Sequence, residues 1–233
     1  MEQFWGSKVA SLKPIIRVVL NRKEYRDSIQ KYLRGDIEWG HRSLSDVKKL
    51  TRDILREEQN EICPYCQRII VVERRNTLED IEHFLDKSRG YYRRHAFTAT
   101  NLILSCHSCN MEKGTRDLGD SSIREARYLY PGLGRFRWPH PYYDDIAACV
   151  RKEPGPVYIV VDGSGREAEA ENMIKDLKLN HLRNIESRHQ VLTQRSRKIT
   201  SILARFITSD RESCKRRLKL LIEVQEEIHK ELY

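Results

Sequence analysis

Apolar residues recur at helical spacing at both ends of the chain, and that period breaks down in the middle. Between residues 43 and 60, Val47, Leu50, Ile54 and Leu55 fall on one helical face, with Ser45 placed to cap its start. Residues 22–34 also predict a helix. Towards the other end, 168–207 and 210–232 predict helices. In the second of these, Cys214, Leu218, Leu221, Ile228 and Leu232 form an apolar stripe suited to packing on a core or a partner. The centre, about Glu61 to Asp120, differs in kind. A Cys-Pro-Tyr-Cys turn leads into the apolar run Ile69–Val72 and a β-prone stretch around Leu78–Phe84. A polar loop rich in Tyr and Arg follows, then a Cys-x-x-Cys that runs into Asn110. Tyr128 to Pro156 holds five of the seven prolines and predicts irregular chain. Val157–Val161 reads as a strand ended by the turn Asp162-Gly163.

The pattern predicts an α+β, mainly helical fold. It divides into a helical N-terminal segment (1–60), a central unit (61–120) and a mixed, then helical, C-terminal region (121–233). No internal repeat or low-complexity tract is visible.

Charge adds a partner class. The chain of 233 residues carries a formal +9. Residues 1–60 hold a net +4 and residues 181–233 a net +5, while 61–120 and 121–180 are balanced. Basic flanks suit a polyanion such as nucleic acid, although charge alone also fits a solvated surface. No run of 18 apolar residues exists, so no membrane span is expected. Pro14–Leu20, interrupted by Arg17, makes a poor signal peptide. The expected location is cytoplasmic, where thiols stay reduced.

Six cysteines in a reducing compartment need a reason other than disulfides. Cys149 and Cys214 read as small buried hydrophobes. The other four form two knuckles, Cys63-Pro-Tyr-Cys66 and Cys106-His-Ser-Cys109. Each presents two thiolates from one tight turn, and together they complete a tetrahedral sulfur shell suited to structural Zn²⁺. His107, inside the second knuckle, is expected in solvent or in a hydrogen bond beside the metal.

Between the knuckles, Glu82 immediately precedes His83. Neighbouring strand residues point to opposite faces, so the two converge only where a strand ends or bends. The pair alone is weak evidence, but more follows in order: Phe84, Lys87-Ser88, Asn101-Leu102, Cys106-x-x-Cys109-Asn110 and Lys113-Gly114. Across about residues 61–117 the chain resembles the HNH (ββα-metal) endonucleases. The step from Asn101 to Asn110 is similar to that in HNH domains of CRISPR effector nucleases. The resemblance implies a DNA phosphodiesterase with His83 as general base, Glu82 and Asn110 as ligands of a catalytic Mg²⁺ or Mn²⁺, Asn101 bracing the loop, and Lys113 near a phosphate. An imidazole with its reference pKa of about 6.5 would lose activity below that pH.

Two positions depart from the family. Asp86 stands where a proline is usual, which puts the following loop in question and adds a carboxylate. Ala99 stands where a tryptophan is usual, a gap for which Phe97 is a candidate replacement. In the flanks, Trp138-Pro-His140-Pro-Tyr-Tyr-Asp-Asp and Leu177-Lys-Leu-Asn180, with Arg183 beyond, resemble the PtuB-type HNH subunit of Septu and retron-associated anti-phage systems. That resemblance implies an ATPase partner of the PtuA type. The Pro-His-Pro context makes His140 a structural turn residue first. Two other readings stay open: a zinc-stapled nucleic-acid or protein adaptor without catalysis, and an RNA-directed nuclease, for which Tyr91, Tyr92, Arg93 and Arg94 would supply base stacking.

Overall fold

The computed structural model describes residues 12–70, 72–73, 76–77, 79–155, 157–206 and 212–232. Helix α1 (Arg17–Leu20) is a single turn. Helix α2 (Lys23–Arg34) buries Ile29 and Tyr32, and α3 (Ser45–Glu58) buries Val47, Thr51 and Leu55. Gly35 ends α2 in the left-handed region at φ 91°, which lets Gly35 N–H reach Tyr32 O and Asp36 N–H reach Lys31 O. Ser45 does not cap α3. The chain enters through a 3-10 turn, Arg42–Leu44, capped by His41, whose Nδ1 accepts from Ser43 N–H.

Strands β1 (Val72–Glu73) and β2 (Asn76–Thr77) pair antiparallel. Strands β3 (Glu79–His83) and β4 (Leu102–Cys106) form a second antiparallel pair, in register from Glu79 opposite Cys106 to His83 opposite Leu102. Helix α4 (His107–Lys113) follows β4 without a break. Leu102, Ile103 and Leu104 are all buried, so β4 is covered on both faces and reads as continuous apolar sequence. Gln59, just past α3, closes the edge of β4. Its Oε1 accepts from Leu104 N–H at 2.7 Å and its Nε2 donates to Leu104 O at 2.8 Å, as a neighbouring strand would.

One core cluster joins Val19, Ile29, Tyr32, Leu44 and Val47 to Ala96, with Trp39 and Phe97 packed against it. The N-terminal helices therefore share a core with the central unit. The chain forms two compact units, one from Met1–Val150 with Val160–Leu177 and one from Arg151–Ile159 with Lys178–Tyr233. The segments expected at 1–60 and 61–120 lie in the same unit.

Short helices α5 (Ser121–Glu125) and α6 (Ile146–Cys149) follow. Strands β5 (Val150–Glu153) and β6 (Val157–Val160) make a hairpin in the stretch where prolines predicted irregular chain. Pro154 sits in its turn instead of preventing it. The long helix expected from 168 is interrupted: α7 (Glu167–Asp176) stops, Lys178 takes φ 51°, and α8 (Leu182–Phe206) restarts. Within the second unit, Asn180 is spent on β6. It accepts from Tyr158 N–H at 2.7 Å and donates to Tyr158 O at 2.6 Å.

Helices α8 and α9 (Glu212–Leu232) pair through Leu192, Ile228 and Leu232, with Ile199 packed against them. The C-terminal stripe thus serves this chain's own helical hairpin at Ile228 and Leu232; the side chain of Cys214 lies outside the described residues. Cys149 is buried as expected. Among the described residues no helix is long and apolar enough to cross a membrane.

Candidate metal and catalytic centre

The four knuckle cysteines come together. Cys63 N–H bonds Arg68 O and Gln67 N–H bonds Cys63 O, with Gln67 at φ 53°, so the first pair sits on a closed turn. The second pair spans the junction of β4 and α4. All four Sγ atoms lie within 4.8 Å of one another, and Cys66 Sγ to Cys106 Sγ is 3.8 Å. A tetrahedron with Zn–S bonds of about 2.3 Å has edges of about 3.8 Å. The donor set therefore fits a metal ion such as zinc. Burial pushes the Cys63 thiol up, while hydrogen bonds from the other three thiols hold Cys106 well down. A buried cluster of this kind needs a cation before all four sulfurs can be charged.

Strand β3 sorts its polar residues by parity. Glu79 faces α3 and takes ion pairs from Arg52 and Arg56. Asp80 and Glu82 face α4, each against one residue of it. Asn110 Nδ2 donates to Asp80 Oδ2 at 2.9 Å, and Lys113 Nζ lies 2.5 Å from Glu82 Oε1. Asp80 Oδ2 also accepts from His107 Nδ1 at 2.9 Å, which settles His107 in a hydrogen bond beside the cysteines. Because a carboxylate only accepts, the Asn110 amide nitrogen faces Asp80 and its Oδ1 is the atom able to ligate.

Lys113 does not stand ready for a phosphate. It is buried, and its ammonium spans Glu82 Oε1 and the His83 carbonyl, the latter at 2.9 Å. Burial raises the Glu82 pKa, with Lys113 and Lys87 opposing the shift. The same face holds two buried hydroxyls without a hydrogen-bond partner, Tyr65 Oη and Ser105 Oγ. Ser105 is directly opposite Asp80, and Tyr65 feels the charge of Glu82. Carboxylates thus gather on one face of β3, with the Lys113 ammonium already on Glu82.

His83 points elsewhere. It is buried, its ring meets Trp39 edge-on at 4.6 Å, and its Nε2 donates to Ala96 O at 3.1 Å. A carbonyl cannot donate, so the proton belongs on Nε2 and the lone pair on Nδ1. Burial, then Lys87 and Lys113, hold the His83 pKa well below its ordinary value. Glu82 and His83 therefore occupy opposite faces of β3, as strand parity requires, yet share the field of the same two lysines. Trp39 is a neighbour that the sequence did not point to, whereas Lys87 belongs to the Lys87-Ser88 step of the motif. Lys87 Nζ sits 5.3 Å from the Trp39 ring centre.

Asn101 is fully buried and makes three hydrogen bonds. Oδ1 accepts from Leu85 N–H at 2.7 Å, and Nδ2 donates to Leu85 O at 3.1 Å and His95 O at 3.0 Å. The amide ties the segment after His83 to the segment whose next carbonyl, Ala96 O, holds the imidazole. Asp86 takes over the turn a proline would shape, because its carboxylate accepts from Ser88 N–H at 3.1 Å and from the Ser88 hydroxyl. The missing tryptophan at 99 is answered by Phe97, which packs at 5.5 Å on Tyr32 and 5.2 Å on Trp39.

His140 is a structural residue. It stacks on Tyr143 at 4.0 Å, accepts from Tyr142 N–H through Nδ1, and burial lowers its pKa to about 3. The Tyr91–Arg94 run is internal bracing. Both tyrosine hydroxyls donate to Asp117, Arg93 binds the carbonyls of Tyr32 and Ile37, and Arg94 binds those of Tyr91 and Arg124.

Comparison with protein-family models, with curated proteins and with solved structures finds no match to this chain.

Proposed function

We propose that this chain is a metal-dependent endonuclease of the HNH kind, hydrolysing phosphodiester bonds in DNA, with Zn²⁺ in the four-cysteine cluster as a structural staple. One observation carries the reading: His83 is a buried imidazole whose tautomer is locked, with Nε2–H on Ala96 O and the lone pair on Nδ1.

Each residue has a task in this mechanism. His83 Nδ1 accepts a proton from the attacking water, while Nε2–H stays on its carbonyl and holds the ring still. Asn101 fixes the distance between His83 and that carbonyl. Glu82 and the Asn110 amide oxygen, with Asp80 beside them, would hold Mg²⁺ or Mn²⁺ on the face of β3 opposite the His83 ring, so a phosphate shared by base and metal would lie past the strand's end at His83. When bound, such a cation supplies a Lewis acid that draws charge from the scissile phosphate and its leaving oxygen. Lys113 keeps Glu82 ionised against the cost of burial.

By resemblance to PtuB-type subunits, the chain would serve as the effector of an anti-phage system beside an ATPase. The balanced charge of residues 61–180 also favours a partner that helps to present DNA. A second reading, the adaptor, draws on the Lys113–Glu82 ion pair, which already neutralises the proposed metal ligand. Titrating Mn²⁺ against nicking of supercoiled plasmid separates the two. The endonuclease requires metal-dependent nicking that Glu82→Gln and Asn110→Ala weaken; an adaptor binds the plasmid and leaves it intact.

A further inference from the structure

The chain offers exposed tyrosines just after the braced ones. Tyr128 and Tyr130, beyond the end of α5, are 68% and 54% exposed, with Leu129 between them less so. The Arg127 guanidinium lies over the Tyr128 ring at 5.5 Å from its centre. Exposed single aromatics are ordinary, but two within three residues beside an exposed cation are not. Two nearby acids are engaged elsewhere, while exposed Glu125 lies two residues before Arg127. Asp117 takes both Tyr91 and Tyr92 hydroxyls and Arg124, and Asp120 takes the backbone N–H groups of Ile123 and Arg135.

We propose that Arg127, Tyr128 and Tyr130 form a stacking platform for an unpaired polynucleotide strand, with the rings taking bases and the guanidinium taking phosphate or a ring face. Exposed aromatic faces interleaved with positive charge suit bases on a polyanion better than an apolar protein surface. The platform is joined to the catalytic loop. Arg94 donates to Arg124 O at 3.0 Å, and His95 Nε2 bonds Ala126 O at 3.2 Å, one residue before Arg127. The same His95–Ala96 stretch supplies the carbonyls held by Asn101 and His83. A strand seated there would bear on the segment that positions the base. This inference rests on the endonuclease reading for its purpose, but its binding test does not.

The test is fluorescence anisotropy of labelled dT20, rU20 and a 20-base-pair duplex, with the intact chain and no added divalent metal. Tyr128→Ala with Tyr130→Ala should weaken dT20 binding about tenfold or more, since stacking is lost at two rings. Tyr128→Phe with Tyr130→Phe should bind as wild type, because the ring and not the hydroxyl does the work. Arg127→Ala should reduce the salt slope by about one phosphate contact. Equal loss for rU20 assigns the platform to single strands of either sugar, and loss confined to dT20 assigns it to DNA; both support it. Wild type failing to bind either strand, unchanged binding in the Ala pair, or a Phe pair as weak as the Ala pair would overturn it. Plasmid nicking alongside keeps the two ideas apart. Nicking without tyrosine-dependent binding removes the platform alone, and tyrosine-dependent binding without nicking removes hydrolysis alone.

Discussion

Asn101→Ala should cost far more than an average buried substitution. The side chain is fully buried and holds three backbone groups at 2.7, 3.1 and 3.0 Å. Alanine leaves Leu85 N–H without its acceptor, at about 1–3 kcal/mol for an orphaned buried donor. The two carbonyls each lose one partner, at about 1 kcal/mol apiece, so the total is on the order of 3–5 kcal/mol. In a domain of this size that lowers Tm by roughly 10 °C. Asn101→Asp sharpens the test. It keeps the acceptor for Leu85 N–H but sets a carboxylate oxygen against two carbonyl oxygens, so it should be at least as damaging near neutral pH. Thermal melting followed by circular dichroism, with zinc content measured in parallel, reads both. Zinc should remain in the surviving folded fraction, because Asn101 touches no cysteine. A melting point within about 2 °C of wild type for either variant, well below the expected shift, would refute the bracing argument.

Other outcomes follow from the same geometry. Cys63→Ser or Cys109→Ser should lose the metal, seen as less than one zinc per chain by elemental analysis, with a marked fall in Tm. Lys113→Met leaves Glu82 buried and uncompensated, at a cost of about 3–5 kcal/mol, and adding Glu82→Gln should recover much of it; unfolding curves of the single and double variants check this. Glu58 is partly buried, and burial raises its pKa from 4.5 to about 7 against a backbone hydrogen bond from Lys13. Between those values the folded chain holds the extra proton, so stability falls as pH rises through the window and levels off above pH 7. Glu58→Gln should therefore raise stability at pH 8, on the order of 1–2 kcal/mol after solvent screening, and change little at pH 5.

Where sequence patterns spoke through periodicity, they were legible. The α3 stripe of Val47, Leu50, Ile54 and Leu55 and the β3 segment appear within a few residues of the expected bounds, and the cysteine spacing alone foretold the cluster. What escaped the sequence was side-chain mimicry of backbone. Gln59 on β4 and Asn180 on β6 each pair with another segment's N–H and C=O. Such bonds have no periodicity. Lys113 illustrates another limit. A lysine's position along the chain does not say whether its ammonium faces a phosphate or a buried carboxylate. Trp39, which packs on His83, lies 44 positions away, beyond any local pattern.

The most direct measurement is the pH profile of metal-dependent plasmid nicking by wild type beside His83→Ala. In the proposed mechanism the neutral imidazole is the base, and burial with Lys87 and Lys113 lowers its pKa. The acid limb of the profile should therefore fall well below pH 6.5, the value an unperturbed histidine would set. His83→Ala should show no nicking at any pH while keeping its zinc. Full nicking by a clean His83→Ala preparation would contradict the account.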